Sequence, residues 1–76
     1  MNNTRRKALR QLMEQIEDLK SSLEILKDEE EEYRDNMPEN LQESERYEKA
    51  DEAVSNLEYA MDSLDEAMSN IEESMN

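Results

Sequence analysis

Apolar residues in this chain recur on alternating steps of three and four, in two long runs separated by a single turn signal. In the second half Val54, Leu57, Met61, Leu64, Met68, Ile71 and Met75 keep that step, and Tyr47 and Ala50 extend it backwards. Written in sevens, the stretch reads Val54-Ser-Asn-Leu-Glu-Tyr-Ala60, Met61-Asp-Ser-Leu-Asp-Glu-Ala67, Met68-Ser-Asn-Ile-Glu-Glu-Ser74, an internal heptad repeat. In the first half Leu9, Leu12, Ile16, Leu19, Leu23, Leu26 and Tyr33 step the same way, and Glu30 is the one interruption. A period near 3.5 residues lays one narrow seam along a helix, as in coiled coils and antiparallel bundles. Glycine is absent and proline occurs once, so the tight turns of β-hairpins and barrels are closed to this chain. The fold class is therefore all-α.

The turn signal is Asp35-Asn36-Met37-Pro38-Glu39-Asn40. Asn36 tolerates the left-handed conformation that ends helices, and Pro38 cannot continue helix 1. Thr4 is a candidate N-cap, which places helix 1 over about residues 4–34, roughly 45 Å long. The turn then spans about residues 35–43. Helix 2 begins either at Pro38, whose fixed φ suits a first helical turn, or at Ser44 as its cap. The clean heptad from Tyr47 favours the second, with helix 2 over about residues 44–75 and Pro38 to Leu41 as a separate short turn.

Charge placement favours folding the two helices back on each other. Arg5, Arg6, Lys7 and Arg10 cluster at the start of helix 1, while Asp65, Glu66, Glu72 and Glu73 lie near the end of helix 2. In an antiparallel hairpin these groups become neighbours, and the acidic run Asp28 to Glu32 comes opposite Arg46 and Lys49. Exposed pairs contribute only about 0–1 kcal/mol each, so they decide orientation rather than stability. Two antiparallel helices bury only a strip, and a chain of 76 residues has no deep core to add. Met13, Ile25, Tyr59 and the recurring Ala53, Ala60 and Ala67 point to a second contact surface. The expected architecture is a single antiparallel helical hairpin that dimerises into a four-helix bundle, with a bare hairpin as the alternative.

The functional classes narrow in the same way. The net charge of −13 repels nucleic acid and anionic membrane, and attracts a basic protein surface. No apolar run approaches the roughly 20 residues of a membrane span, and the basic N-terminus is not followed by a signal-peptide core. A cytoplasmic location is the default expectation. Histidine and cysteine are both absent, which removes the usual bases, thiolates and soft metal ligands. The run Asp28-Glu29-Glu30-Glu31-Glu32 lies on a helix with no loop to fold its oxygens inward, so it reads as a solvated face rather than a calcium site. Arg34, Arg46 and Lys49 are the candidates to offset its unfavourable place at a helix C-terminus. No catalytic, cofactor or metal site is expected, and no small-molecule substrate.

The segment from Asp35 to Tyr47, followed by acidic heptads, resembles a family of small acidic helical-hairpin proteins of Firmicutes and their phages. The shared turn has the form Asp-Asn-x-Pro-Glu-x-Leu-Gln-x-Ser-Glu-Arg, and the resemblance covers the chain in layout. It implies a gene carried by a phage or mobile element, and it implies no established activity. It also marks Asn36, Pro38, Leu41, Gln42, Ser44 and Arg46 as candidate partner-binding residues. Shape accounts for several of them, since Asn36 and Pro38 form the turn, Leu41 plugs the core and Ser44 caps helix 2. Gln42 and Arg46 are less well explained by shape.

Two functions then compete. The first is a non-enzymatic protein–protein interaction or adaptor module, dimeric, that presents its turn or an outer helix face to a protein. The alternative is an acidic inhibitor that imitates nucleic acid and occupies the basic groove of a host protein. Residues 50–76 carry eight acids and no base, so Asp51, Glu52, Glu58, Asp62, Asp65 and Glu66 would carry that mimicry.

Overall fold

The computed structural model describes all 76 residues and is an antiparallel helical hairpin. Helix α1 spans Asn3–Asp35 and helix α2 spans Glu45–Ser74, joined by a connection containing a short 3-10 turn at Glu39–Leu41. The two helices lie side by side in a rod of 59 × 15 × 12 Å.

Caps set the helix ends. The Asn2 side chain accepts a hydrogen bond from the Arg5 N–H at 2.8 Å, so α1 begins at Asn3 rather than at Thr4. Ser44 Oγ accepts from the Tyr47 N–H at 3.3 Å and caps α2 as expected. Asn36 ends α1 with φ −87° and ψ 0°, and no residue of the chain takes a positive φ. The expected left-handed cap is therefore replaced by a tightened last turn. The Asn36 N–H donates to the Glu32 carbonyl and the Met37 N–H to that of Arg34, which satisfies two terminal acceptors. Pro38, at φ −57° and ψ 149°, then leads the chain into the 3-10 turn.

Only Met37, Ala50 and Val54 are buried, and all three lie towards the turn. Met37, not Leu41, plugs that end of the seam; Leu41 stays 37% exposed. Met37 is the next member of the seven-residue series Leu9, Ile16, Leu23, Glu30, whose helix continues almost to it.

The seam on α2 follows the heptad reading, with Ala50, Val54, Leu57, Met61, Leu64, Met68 and Ile71 buried or half-buried. On α1 the seam is turned by one position in every other step. Arg6, Leu9, Met13, Ile16, Lys20, Leu23, Lys27, Glu30, Glu31 and Arg34 are the half-buried residues, whereas Leu12, Leu19, Leu26 and Tyr33 are 47–58% exposed. The reason lies on the partner helix. Asp51, Glu58, Asp65 and Glu72 recur every seven residues beside the α2 seam, and Lys20, Lys27 and Arg34 recur every seven on α1. Facing those cations towards those acids forms Lys20–Asp65 at 2.6 Å and Arg34–Asp51 at 2.7 Å. The long cationic side chains cover the seam with their alkyl stems while their heads meet carboxylates.

The two bridges also fix register. Lys20 and Arg34 are fourteen residues apart, as are Asp51 and Asp65, so the helices run in step. The expected pairs at the hairpin ends do not form. In this register Asp65 lies about ten residues, or roughly 15 Å, from the level of Arg10. Arg6 instead donates from Nε to the Met75 carbonyl at 3.0 Å. At the turn, Arg46 makes no ion pair and Lys49 pairs with Glu45 of its own helix.

Candidate protein-docking face

The rotation of α1 divides the hairpin into two unlike long faces. On one side of the seam stand Lys20, Lys27 and Arg34 with their carboxylates. On the other stand the stripe Leu12, Leu19, Leu26, Tyr33 from α1 and the stripe Ala53, Ala60, Ala67 from α2. Residues seven apart share one stripe of a supercoiled helix, and the ion pairs on the first side place these two stripes together on the second.

The rim of that second face is also poor in charge along its middle. Next outward on α1 come Gln15, Ser22 and Glu29, and on α2 Asn56, Ser63 and Asn70. In a chain with 41% charged residues, this central rim carries one charge, Glu29. Its leucines are large and only half covered: Leu19 is 58% exposed and Leu26 is 54% exposed. The three alanines are half-buried beside them. Ile25 and Tyr59, expected to join this surface, project elsewhere as isolated exposed residues, and Met13 is turned into the seam.

Area points the same way. The hairpin exposes 5868 Å². A compact protein of its mass, 9.0 kDa, exposes about 4,900 Å². The excess, about 1,000 Å², is comparable to the roughly 800 Å² that each partner hides in a specific interface.

Electrostatics on the opposite side is local. Hydrogen bonding from Lys20 to Asp65 raises the Lys20 pKa above its ordinary 10.5. Lys27 is raised more strongly, by hydrogen bonds to Asp28 and then Glu31. Arg34 is raised first by its bond to Asp35 and also by Asp51. Lys27 and Arg34 thus offset the acidic run from within α1, the former at 2.7 Å from Asp28 and the latter 3.9 Å from Glu31. Glu30, the acid at a seam position, is half-buried and makes no ion pair. The carboxylates do not gather: no three acidic side chains converge as a metal ion would require.

The turn residues separate into two groups. Asn36, Pro38 and Ser44 are committed to backbone geometry: Asn36 and Pro38 through the contacts above, and Ser44 through its cap and a hydroxyl bond to the Leu41 carbonyl. Leu41, Gln42 and Arg46 are exposed at the tip, and neither the Gln42 nor the Arg46 side chain has a partner in the hairpin. Of the six acidic residues singled out on α2, Asp51 and Asp65 are matched by Arg34 and Lys20, while Glu52, Glu58, Asp62 and Glu66 are exposed and unpaired. The stripe Leu12 to Tyr33 is visible in the sequence as a heptad; its exposure depends on the acids of α2, which draw the Lys20, Lys27 and Arg34 side of α1 inward.

No helix is long and apolar enough to cross a membrane. Comparison with protein-family models, curated proteins and solved structures finds no match to the chain.

Proposed function

We propose that this hairpin is a non-enzymatic protein–protein interaction module, an adaptor whose apolar face docks on protein. The observation that carries the reading is the half-exposed stripe Leu12, Leu19, Leu26 and Tyr33 beside an alanine stripe, on a molecule with three buried residues. Soluble monomers rarely present an apolar strip of this length, and such surfaces mark interaction sites. A homodimer in the form of a four-helix bundle is the simplest way to cover it. Leu41, Gln42 and Arg46 at the exposed tip are then the surface for a further protein. The gene's place in a phage or mobile element rests on the turn resemblance alone.

Imitation of nucleic acid is the weaker reading, because two of the six carboxylates it needs are already neutralised across the hairpin. Its tight, salt-sensitive binding to a basic protein would be lost on neutralising Glu52, Glu58, Asp62 and Glu66.

The test is sedimentation equilibrium with far-UV circular dichroism on the wild type and on a Leu19→Glu/Leu26→Glu variant. The wild type is expected as a helical species of about twice 9.0 kDa persisting to low micromolar concentration. The variant is expected as a monomer. An unchanged dimer in the variant would remove the stripe from the docking surface.

A further inference from the structure

The hairpin is electrically lopsided along its length. The turn third, residues 28–52, holds twelve acids and three bases, a net of −9. The opposite end, residues 1–13 with 66–76, holds four bases and three acids, a net of +1. Two hairpins joined by their apolar faces can stand with turns at the same end or at opposite ends. Packed helices lie about 8–10 Å apart, within the roughly 10 Å Debye length at 0.1 M salt. The same-end arrangement therefore sets −9 against −9 with little screening. The opposite-end arrangement sets −9 against +1, and parts the two turn regions by most of the 59 Å rod.

The stripes admit the second arrangement on independent geometric grounds. Opposed copies bring each stripe against itself, so each stripe must be centred on the same two-fold axis. The leucine stripe from Leu12 to Tyr33 is centred between Ser22 and Leu23. The alanine stripe from Ala53 to Ala67 is centred on Ala60, which the Lys20–Asp65 bridge places level with Ile25. The two centres differ by less than the 3.6 residues of one helical turn. One axis serves both. Leu12 then meets Tyr33 of the other copy and Leu19 meets Leu26, while the small side chains of α2 let its axis approach that of the other α2 closely.

Resting on the docking face assigned above, we infer that its occupant is a second copy of this chain in the opposed orientation. The product is a rod carrying one exposed tip of Leu41, Gln42 and Arg46 at each extremity, and so a bivalent bridge between two partner molecules.

The chain has no cysteine, so a single introduced thiol is a clean probe. A nitroxide on Glu43→Cys, an exposed position in the turn, would be read by pulsed electron double resonance in a sample whose mass is checked by sedimentation. The opposed dimer is expected to give a distance of about 50 Å or more, set by the rod length of 59 Å. A dimer with a distance of roughly 20 Å, the scale of two neighbouring helix diameters, would overturn the opposed orientation and leave the docking face in place. A monomer at about a hundred micromolar would overturn the second copy as occupant. A dimer that keeps its mass when Leu19→Glu/Leu26→Glu is added would overturn the docking face itself.

Discussion

Leu19 and Lys20 are neighbours in the chain with opposite fates: the leucine is 58% exposed and the lysine is turned into the seam. Hydrophobicity alone ranks them the other way round. The outcome depends on Asp65, forty-five residues further on, and on its heptad mates. Removing one methyl pair from the few well-buried contacts should be felt strongly. Val54→Ala, at a site 3% exposed, is expected to destabilise by about 1–2 kcal/mol in urea titrations followed by circular dichroism. Leu19→Ala should leave the stability of the isolated hairpin almost unchanged while weakening association. The Lys20 pair carries a pH signature. Its folded pKa lies above the unfolded 10.5, so its contribution is complete below that pH and is lost as pH rises through the folded value. Thermal melts between about pH 9 and about pH 12 should therefore fall more steeply for the wild type than for Lys20→Met.

At the scale of elements, the two-helix hairpin was readable from the sequence, whereas residue type alone admits Pro38 or Ser44 as the start of α2. Periodicity gave two helices because seven-residue spacing survives any choice of partner. Ser44 was legible as the cap of α2 because its role is local. Asn2 and Thr4 could each cap α1 by residue type, and only the backbone decides for Asn2. Met37 lies beyond the turn signal's first residues, so its role as the plug shows only when the series through Leu9, Ile16, Leu23 and Glu30 is carried past the end of α1. The mutual rotation of the two helices was the part that the residues of α1 could not disclose by themselves, because it answers to charges on α2. The apolar docking face depends on that rotation, so it too was hidden while its component heptads were plain. Ser44→Ala is expected to cost about 1 kcal/mol by leaving the Tyr47 N–H without its acceptor. Asn2→Ala, at a terminus free to fray, should cost less. Hydrogen exchange at the first amides of each helix would resolve the two effects.

At the scale of the whole molecule, self-repulsion opposes the dimer proposed above. Two copies bring together a net charge of −13 each. Raising salt from about 50 mM to about 0.5 M should tighten the dimer several-fold, as measured by sedimentation, because screening weakens the repulsion and leaves apolar burial intact. The opposite salt response would be expected of an acidic face seated in a basic groove.

Arg6 and Met75 are joined by a hydrogen bond of 3.0 Å, so the two ends of the chain meet at one extremity of the rod. The peptide thus leaves from the place where it enters. A hairpin with this property can be spliced into a surface loop of an unrelated host without prising the loop apart. It would stand from that host as a stalk of about 5 nm, at roughly 1.5 Å per helical residue. Either terminus used for a fusion would carry its cargo at the foot of that stalk, about 5 nm from its own turn.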